Sequence, residues 1–251
     1  MNRPDPLTTA SEIIAQRYEG AAVTFLAGSV MRGEGTATSD LDLVVVYERI
    51  DAAFRESFTY AGWPVEAFVH DPETLRYFFL QVDRPGGVPS LPHMVSTGTP
   101  LPHATDFSRA LQAFANEVLA HGPPRWNGDK LDMSRYTITS LVDDLRSPRS
   151  RAELIAIGTA LYAALADYFL LGQGQWSASG KSIPRRLASI APEFAGRFVE
   201  AFDLLFTSGR TEEVIGLCAA VLAPNGGWLF DGYKAVAPAD WRLRSDVEPL
   251  P

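Results

Sequence analysis

The sequence predicts an α+β protein, with strands and helices together in the first 102 residues and helices alone from 103 onward. Three observations carry that division. The runs "AAVTFLAG", "LDLVVVYE" and "WPVEAFVHD", rich in branched and aromatic residues, all end by residue 71. The segment from Arg84 to Pro102, "RPGGVPSLPHMVSTGTPLP", is dense in Pro, Gly, Ser and Thr and reads as a long connection. Beyond it, "DFSRALQAFANEVLAHG", "YTITSLVDDLR", "RAELIAIGTALYAALADYFLL", "IPRRLASIAPEFAGRFVEAFDLLF" and "EEVIGLCAAVL" repeat their apolar residues at helical spacing.

The elements follow in chain order. "TASEIIAQRYEG" predicts a first helix, capped by Thr9 or Ser11 and stopped by Gly20. The first two apolar runs predict neighbouring buried strands, and "VMRG" between them predicts the start of a short helix. "IDAAFRESFTYAG" predicts a helical or irregular crossover. In "WPVEAFVHD" a strand puts Val65, Ala67 and Val69 on one face and Glu66 and Phe68 on the other. Asp71 then caps a helix that has Pro72 at its first position.

Bulk properties exclude several classes. The chain has 251 residues, 46% apolar and 21% charged, the balance of a globular protein with a substantial core. A net charge of −8 repels nucleic acid and anionic membrane, so neither is expected as a partner. The single cysteine, Cys218, cannot form an internal disulfide and sits in an apolar helical run as a small core residue. "MNRPDPLTT" lacks the apolar region of a secretory signal, and the run beginning at Leu154 is interrupted by Gly158 and Asp167. A cytoplasmic protein is expected. The four histidines show neither i,i+4 pairing nor a neighbouring cysteine, which excludes a zinc site. No G-x-S-x-G elbow, Walker sequence or dinucleotide fingerprint occurs.

Chemistry concentrates in "AGSVMRGEGTATSDLDL", residues 27 to 43. Asp40 and Asp42 are two apart among strong strand formers, so they share a strand face with Cα atoms roughly 6.5–7 Å apart. Leu41, Leu43 and Val45 then face the core. Two aligned carboxylates repel unless a cation lies between them, and Mg²⁺ is the hard ion that takes carboxylates together with phosphate oxygens. An exposed acidic pair at a strand start is the bland alternative. Upstream, Gly28 allows close backbone approach to an anion, and amides at a helix start with the Ser29 hydroxyl suit phosphate. Ser39 is placed to cap or orient the carboxylate loop. Glu66, the lone acid of an apolar strand, would be costly to bury without a cation or reacting group; an edge-strand surface position is its alternative. Asp71 is already explained as a cap.

Gly-Ser, ten residues, then Asp-Leu-Asp-Leu resembles the signature of the DNA polymerase β-type nucleotidyltransferase superfamily, including Ser39 before the first Asp and Arg32-Gly33 after the Gly-Ser. The resemblance implies a small mixed β-sheet flanked by helices as a catalytic domain over residues 1–102, followed by an all-helical domain over 103–251. It also implies two Mg²⁺ ions, ATP or another nucleoside triphosphate as co-substrate, and transfer of a nucleoside monophosphate to a hydroxyl with release of pyrophosphate. Asp40, Asp42 and Glu66 become the catalytic and metal-binding carboxylates, and Gly28, Ser29, Arg32 and Ser39 the nucleotide cradle. Glu66 stands where many polymerases have Asp; as base, ligand or both, its role stays open.

A catalytic domain followed by a helical one is similar to the aminoglycoside and related antibiotic nucleotidyltransferases, and "WSASGKSIPRRL" is similar to a Gly-Lys-x-x-Pro-Lys/Arg segment of the streptomycin/spectinomycin type. That likeness makes Lys181 a triphosphate contact with Arg185 or Arg186 near it, although either arginine also suits a solvated helix start. Asp143 and Asp144 read as an ion-paired helix face or as ligands of a cationic substrate. Tyr136 and Trp176 read as core aromatics or stacking surfaces. The expected activity is transfer of AMP from ATP to a small-molecule hydroxyl, an aminoglycoside-like antibiotic among the candidates. A protein adenylyltransferase of antitoxin type and a non-catalytic nucleotide-binding regulator are the rivals. Nothing in the sequence sets the oligomeric state.

Overall fold

A computed structural model describes residues 3–242, so the end of the expected 103–251 helical region, 243–251, lies outside the described residues. The described residues divide into two compact units, 3–125 with 173–179, and 126–172 with 180–242.

The first unit begins with helix α1 (Pro6–Arg17), whose cap is Asp5, accepting from the Thr8 amide, rather than Thr9 or Ser11. Pro6 at the first helical position fixes the start three residues earlier than the apolar periodicity suggested. Strand β1 (Val23–Ala27) leads into the four-residue helix α2 (Gly28–Met31), and the loop returns as β2 (Leu41–Val46).

The expected crossover over 50–62 is instead strand β3 (Phe54–Tyr60), which forms a hairpin with β4 (Trp63–His70). Its turn is Ala61-Gly62, both at positive φ, 48° and 82°, the twist that two-residue hairpin turns require. β3 is an edge strand whose residues are all exposed or half-buried, and Glu56 breaks the alternation of Phe54, Phe58 and Tyr60 that would have marked it. Helix α3 (Pro72–Tyr77), capped by Asp71 as expected, continues into a π-helical turn (Phe78–Asp83) and the short α4 (Arg84–Gly86). The expected long connection over 84–102 is likewise ordered, as α4, helix α5 (Ser90–Thr97) and strand β5 (Thr99–Leu101). Helix α6 (Asp106–His121) follows.

The sheet is mixed, in the order β3-β4-β2-β1-β5, with β2 and β4 parallel and the other pairs antiparallel. One face carries Leu41, Leu43, Val45, Val65, Ala67 and Val69, packed with Ala10 and Ile13 of α1. The other carries Val23, Phe25, Val44 and Val46, covered by Leu75, Phe79, Leu91 and Val95 and by Leu111, Ala115 and Val118 of α6. The compositional change at 102/103 therefore falls inside this unit: α6 closes the sheet's core, and the unit runs on to Arg125. Trp176 belongs to the same core, buried, with its Nε1 donating to the Leu119 carbonyl at 2.9 Å.

The second unit consists of α7 (Gly128–Leu145), α8 (Arg151–Leu171), a 3-10 turn at Gly180–Ser182, α9 (Ile183–Ile190), α10 (Pro192–Ser208) and α11 (Glu212–Leu222), with a second 3-10 turn at Ala223–Asn225. α8 is long and apolar enough to cross a membrane, but Leu161, Leu165, Ala166 and Leu170 are buried inside the unit. Gly158 lets α10 approach: a Cβ there would lie 2.8 Å from Leu205 and 2.9 Å from Phe206. Cys218 is buried in this core, and Tyr136 stacks on Tyr233 with ring centroids 4.1 Å apart.

Candidate functional site

Strand register builds the site. β1 pairs Ala27 with Asp42, so the residue after Ala27, Gly28, lies beside that carboxylate. β2 and β4 run parallel with Asp42 opposite Glu66, on the face that farther along holds Val44 and Val46. Asp40 sits one residue ahead of β2. Each of Asp40, Asp42 and Glu66 offers a carboxylate oxygen within 4.8 Å of the others, and all three are half-buried.

Gly28 has φ +84°, and a Cβ built there would stand 2.1 Å from Asp42 Oδ2. Only glycine allows this backbone course and this approach together. Ser39 is buried and organises the loop: its hydroxyl accepts from the Thr36 amide at 2.9 Å and lies 3.2 Å from the Ser29 hydroxyl, while its carbonyl accepts from Arg3 at 2.7 Å. Arg32 is exposed and pairs with Glu34 at 3.2 Å. Arg55 is a residue that sequence reasoning missed. It holds Glu66 Oε2 at 2.7 Å and lies over the Phe68 ring, 4.8 Å from its centroid. It belongs to β3, the edge strand with no fully buried residue, and the register of the hairpin brings it to the site.

Residues 7–69 match a family model described as a nucleotidyltransferase domain. The matched span includes all three carboxylates, Gly28, Ser29 and Arg55. No curated protein matches the sequence. One solved structure it resembles is described as a nucleotidyltransferase-like protein from Exiguobacterium sibiricum 255-15; it is 16% identical, the likeness covers 88% of this chain and 76% of that one, and the TM-score is 0.42.

The remaining expected site residues lie in the second unit. Lys181 is exposed in the 3-10 turn, Arg185 is exposed in the first turn of α9, and burial lowers the pKa of half-buried Arg186. Asp143 is ion-paired with Arg146, as the bland reading of that helix had it.

Electrostatics mark Asp42. Burial first, then the Asp40 and Glu66 charges, raise its pKa to about 6, with Arg32 and Arg55 opposing. Native Asp42 therefore binds a proton more tightly than the unfolded chain does. The stability this provides is complete below about pH 4 and is lost as pH rises to about 6. For the metal-free protein we expect a loss of order 1–3 kcal/mol across that window. Denaturant melts from pH 4 to 7.5 check this, and Asp42→Asn should remove that slope.

Proposed function

We propose that this protein transfers a nucleoside monophosphate, AMP from ATP, to the hydroxyl of a small molecule. The observation that carries the reading is the convergence of Asp40, Asp42 and Glu66 beside a glycine whose backbone touches Asp42. Three hard oxygen donors that repel one another, one with its pKa pushed up to about 6, fit a divalent cation chemically. Asp40 and Asp42, with Glu66, would hold Mg²⁺, which supplies charge neutralisation at the phosphoryl oxygens.

The chain's own groups do the rest. Gly28 and Ser29 hold the β- and γ-phosphates, Ser39 fixes the loop that presents Asp40, and Arg32 adds positive charge at its rim. Lys181 and Arg185 are proposed, from the likeness of their segment, as further cations for the triphosphate. Arg55 orients Glu66 by engaging one of its oxygens, and Glu66 accepts the acceptor's proton. The acceptor oxygen bonds to the α-phosphorus as the bond to the bridging oxygen breaks, and pyrophosphate leaves with that electron pair.

The test is pyrophosphate release from ATP, GTP, CTP and UTP with Mg²⁺ and a panel of hydroxylated metabolites and antibiotics. ATP with one acceptor class is expected to give turnover that EDTA abolishes. Release from no combination, with no thermal stabilisation by Mg²⁺-ATP, would contradict the reading.

A further inference from the structure

A cavity of about 340 Å³ opens on the sheet face that carries the carboxylates, wholly within the first unit. That volume lies at the small end of ligand pockets. Its walls include Phe68, Phe78, Val82, Leu91 and Met94, with Arg55, His70, Asp83 and Ser90 as the charged or polar members. It adjoins the site directly: Phe68 is two residues from Glu66 on the same face of β4, and Arg55 touches both side chains. We propose that this cavity is the acceptor pocket and that it takes a small, uncharged, predominantly apolar alcohol or phenol. The proposal rests on the nucleotidyl-transfer reading.

Three observations lead there. First, displacement at phosphorus is in line, so the entering oxygen approaches opposite the departing pyrophosphate. Gly28 and Ser29 lie at the β1 end of the carboxylate group. An acceptor therefore enters from the β4 and β3 side, where the cavity is.

Second, the walls suit an apolar ring and not a polycation. The cation of the lining, Arg55, is engaged by Glu66, and the carboxylate, Asp83, accepts from the Leu91 amide at 2.8 Å. Val82 is 43% exposed, apolar surface that a ring would cover.

Third, His70 is 3% exposed, and its Nδ1 is buried with no hydrogen-bond partner, an uncommon and costly state. Its ring meets Phe78 edge-on, with centroids 4.9 Å apart. Burial pushes its pKa down to about 4, so the imidazole is neutral at pH 7 and takes a neutral polar substituent as hydrogen-bond partner.

The experiment measures binding of 2-naphthol, adenosine and kanamycin to the full chain without nucleotide, by ligand-observed NMR titration. It compares wild type with Met94→Trp, which fills the cavity, and with His70→Phe. The expected result is saturable 2-naphthol binding, weakened at least tenfold by Met94→Trp. His70→Phe should weaken 2-naphthol severalfold. Circular dichroism melts confirm that each variant is folded, and Leu91→Phe serves as a milder filling change with the same expected direction. The proposal is overturned if 2-naphthol does not saturate, if filling the cavity leaves its affinity intact, or if adenosine or kanamycin is the probe displaced by filling. Thermal stabilisation by Mg²⁺-ATP, measured beside it, reports separately on the nucleotide site, so a failed pocket and a failed nucleotide reading give different patterns.

Discussion

Asp42→Asn is expected to abolish nucleotidyl transfer while making the metal-free protein more stable. The two effects share one cause. Asp42 is kept half-buried beside Asp40 and Glu66, and burial with that repulsion raises its pKa to about 6. At pH 7.5 the native chain therefore carries an unfavourable charge that an amide removes. The melting temperature without metal should rise by about 2–4 °C, the change that about 1 kcal/mol makes in a chain of this size. Removing a carboxylate that balances divalent charge should cost several kcal/mol at the transition state, and thus at least about 10³-fold in turnover. Asp40→Asn should lose turnover as fully. A residue kept for packing would behave in the opposite way, with stability falling and activity following it. Calorimetry in EDTA and pyrophosphate release in Mg²⁺ measure the two halves on one preparation.

Gly28→Ala should nearly silence the protein through a single methyl group. The added Cβ would overlap Asp42 Oδ2 at 2.1 Å, so the carboxylate must swing away from Asp40 and Glu66. The φ of +84° adds about 1–2 kcal/mol of backbone strain for any residue with a Cβ. A shift of about 1 Å at a reacting centre costs on the order of 10²-fold in rate. We expect a loss of that size in kcat/KM and a destabilisation of about 1–2 kcal/mol, read by kinetics and by urea melts. Ser29→Ala, which changes the neighbouring hydroxyl and leaves the backbone course alone, should be much the milder change. Equal losses from the two substitutions would assign the effect to phosphate contacts instead of to the placement of Asp42.

The division between what the sequence conveys and what it withholds has a physical origin. β1, β2 and β4 are buried on at least one face, so their branched residues announce them, and the two-residue period places Leu41, Leu43 and Val45 on the face opposite Asp42. The Asp71 cap is a local signal, and it forms as read. β3 is an edge strand with no fully buried residue, Glu56 interrupts the face that Phe54, Phe58 and Tyr60 share, and its pairing with β4 is not encoded in local composition. Arg55 was hidden for that reason. Helix α5 begins after Pro89 and contains Pro92, so proline density masked a helix whose Leu91 and Val95 cover the sheet. The carboxylates could be placed on strands from spacing, but the meeting of Asp42 with Glu66 needs the parallel β2–β4 register, which the spacing of the residues does not contain.

In the proposed mechanism residues 40, 42 and 66 together hold divalent cation beside Gly28. Electron paramagnetic resonance of Mn²⁺ with a non-hydrolysable ATP analogue tests it most directly, because bound ion loses its free signal. Wild type is expected to bind two Mn²⁺ per chain in the analogue's presence, and Asp42→Asn to lose them at the same concentrations. Wild type that leaves Mn²⁺ and analogue as they are in buffer, or an Asp42→Asn isotherm that overlays the wild-type curve, would contradict it.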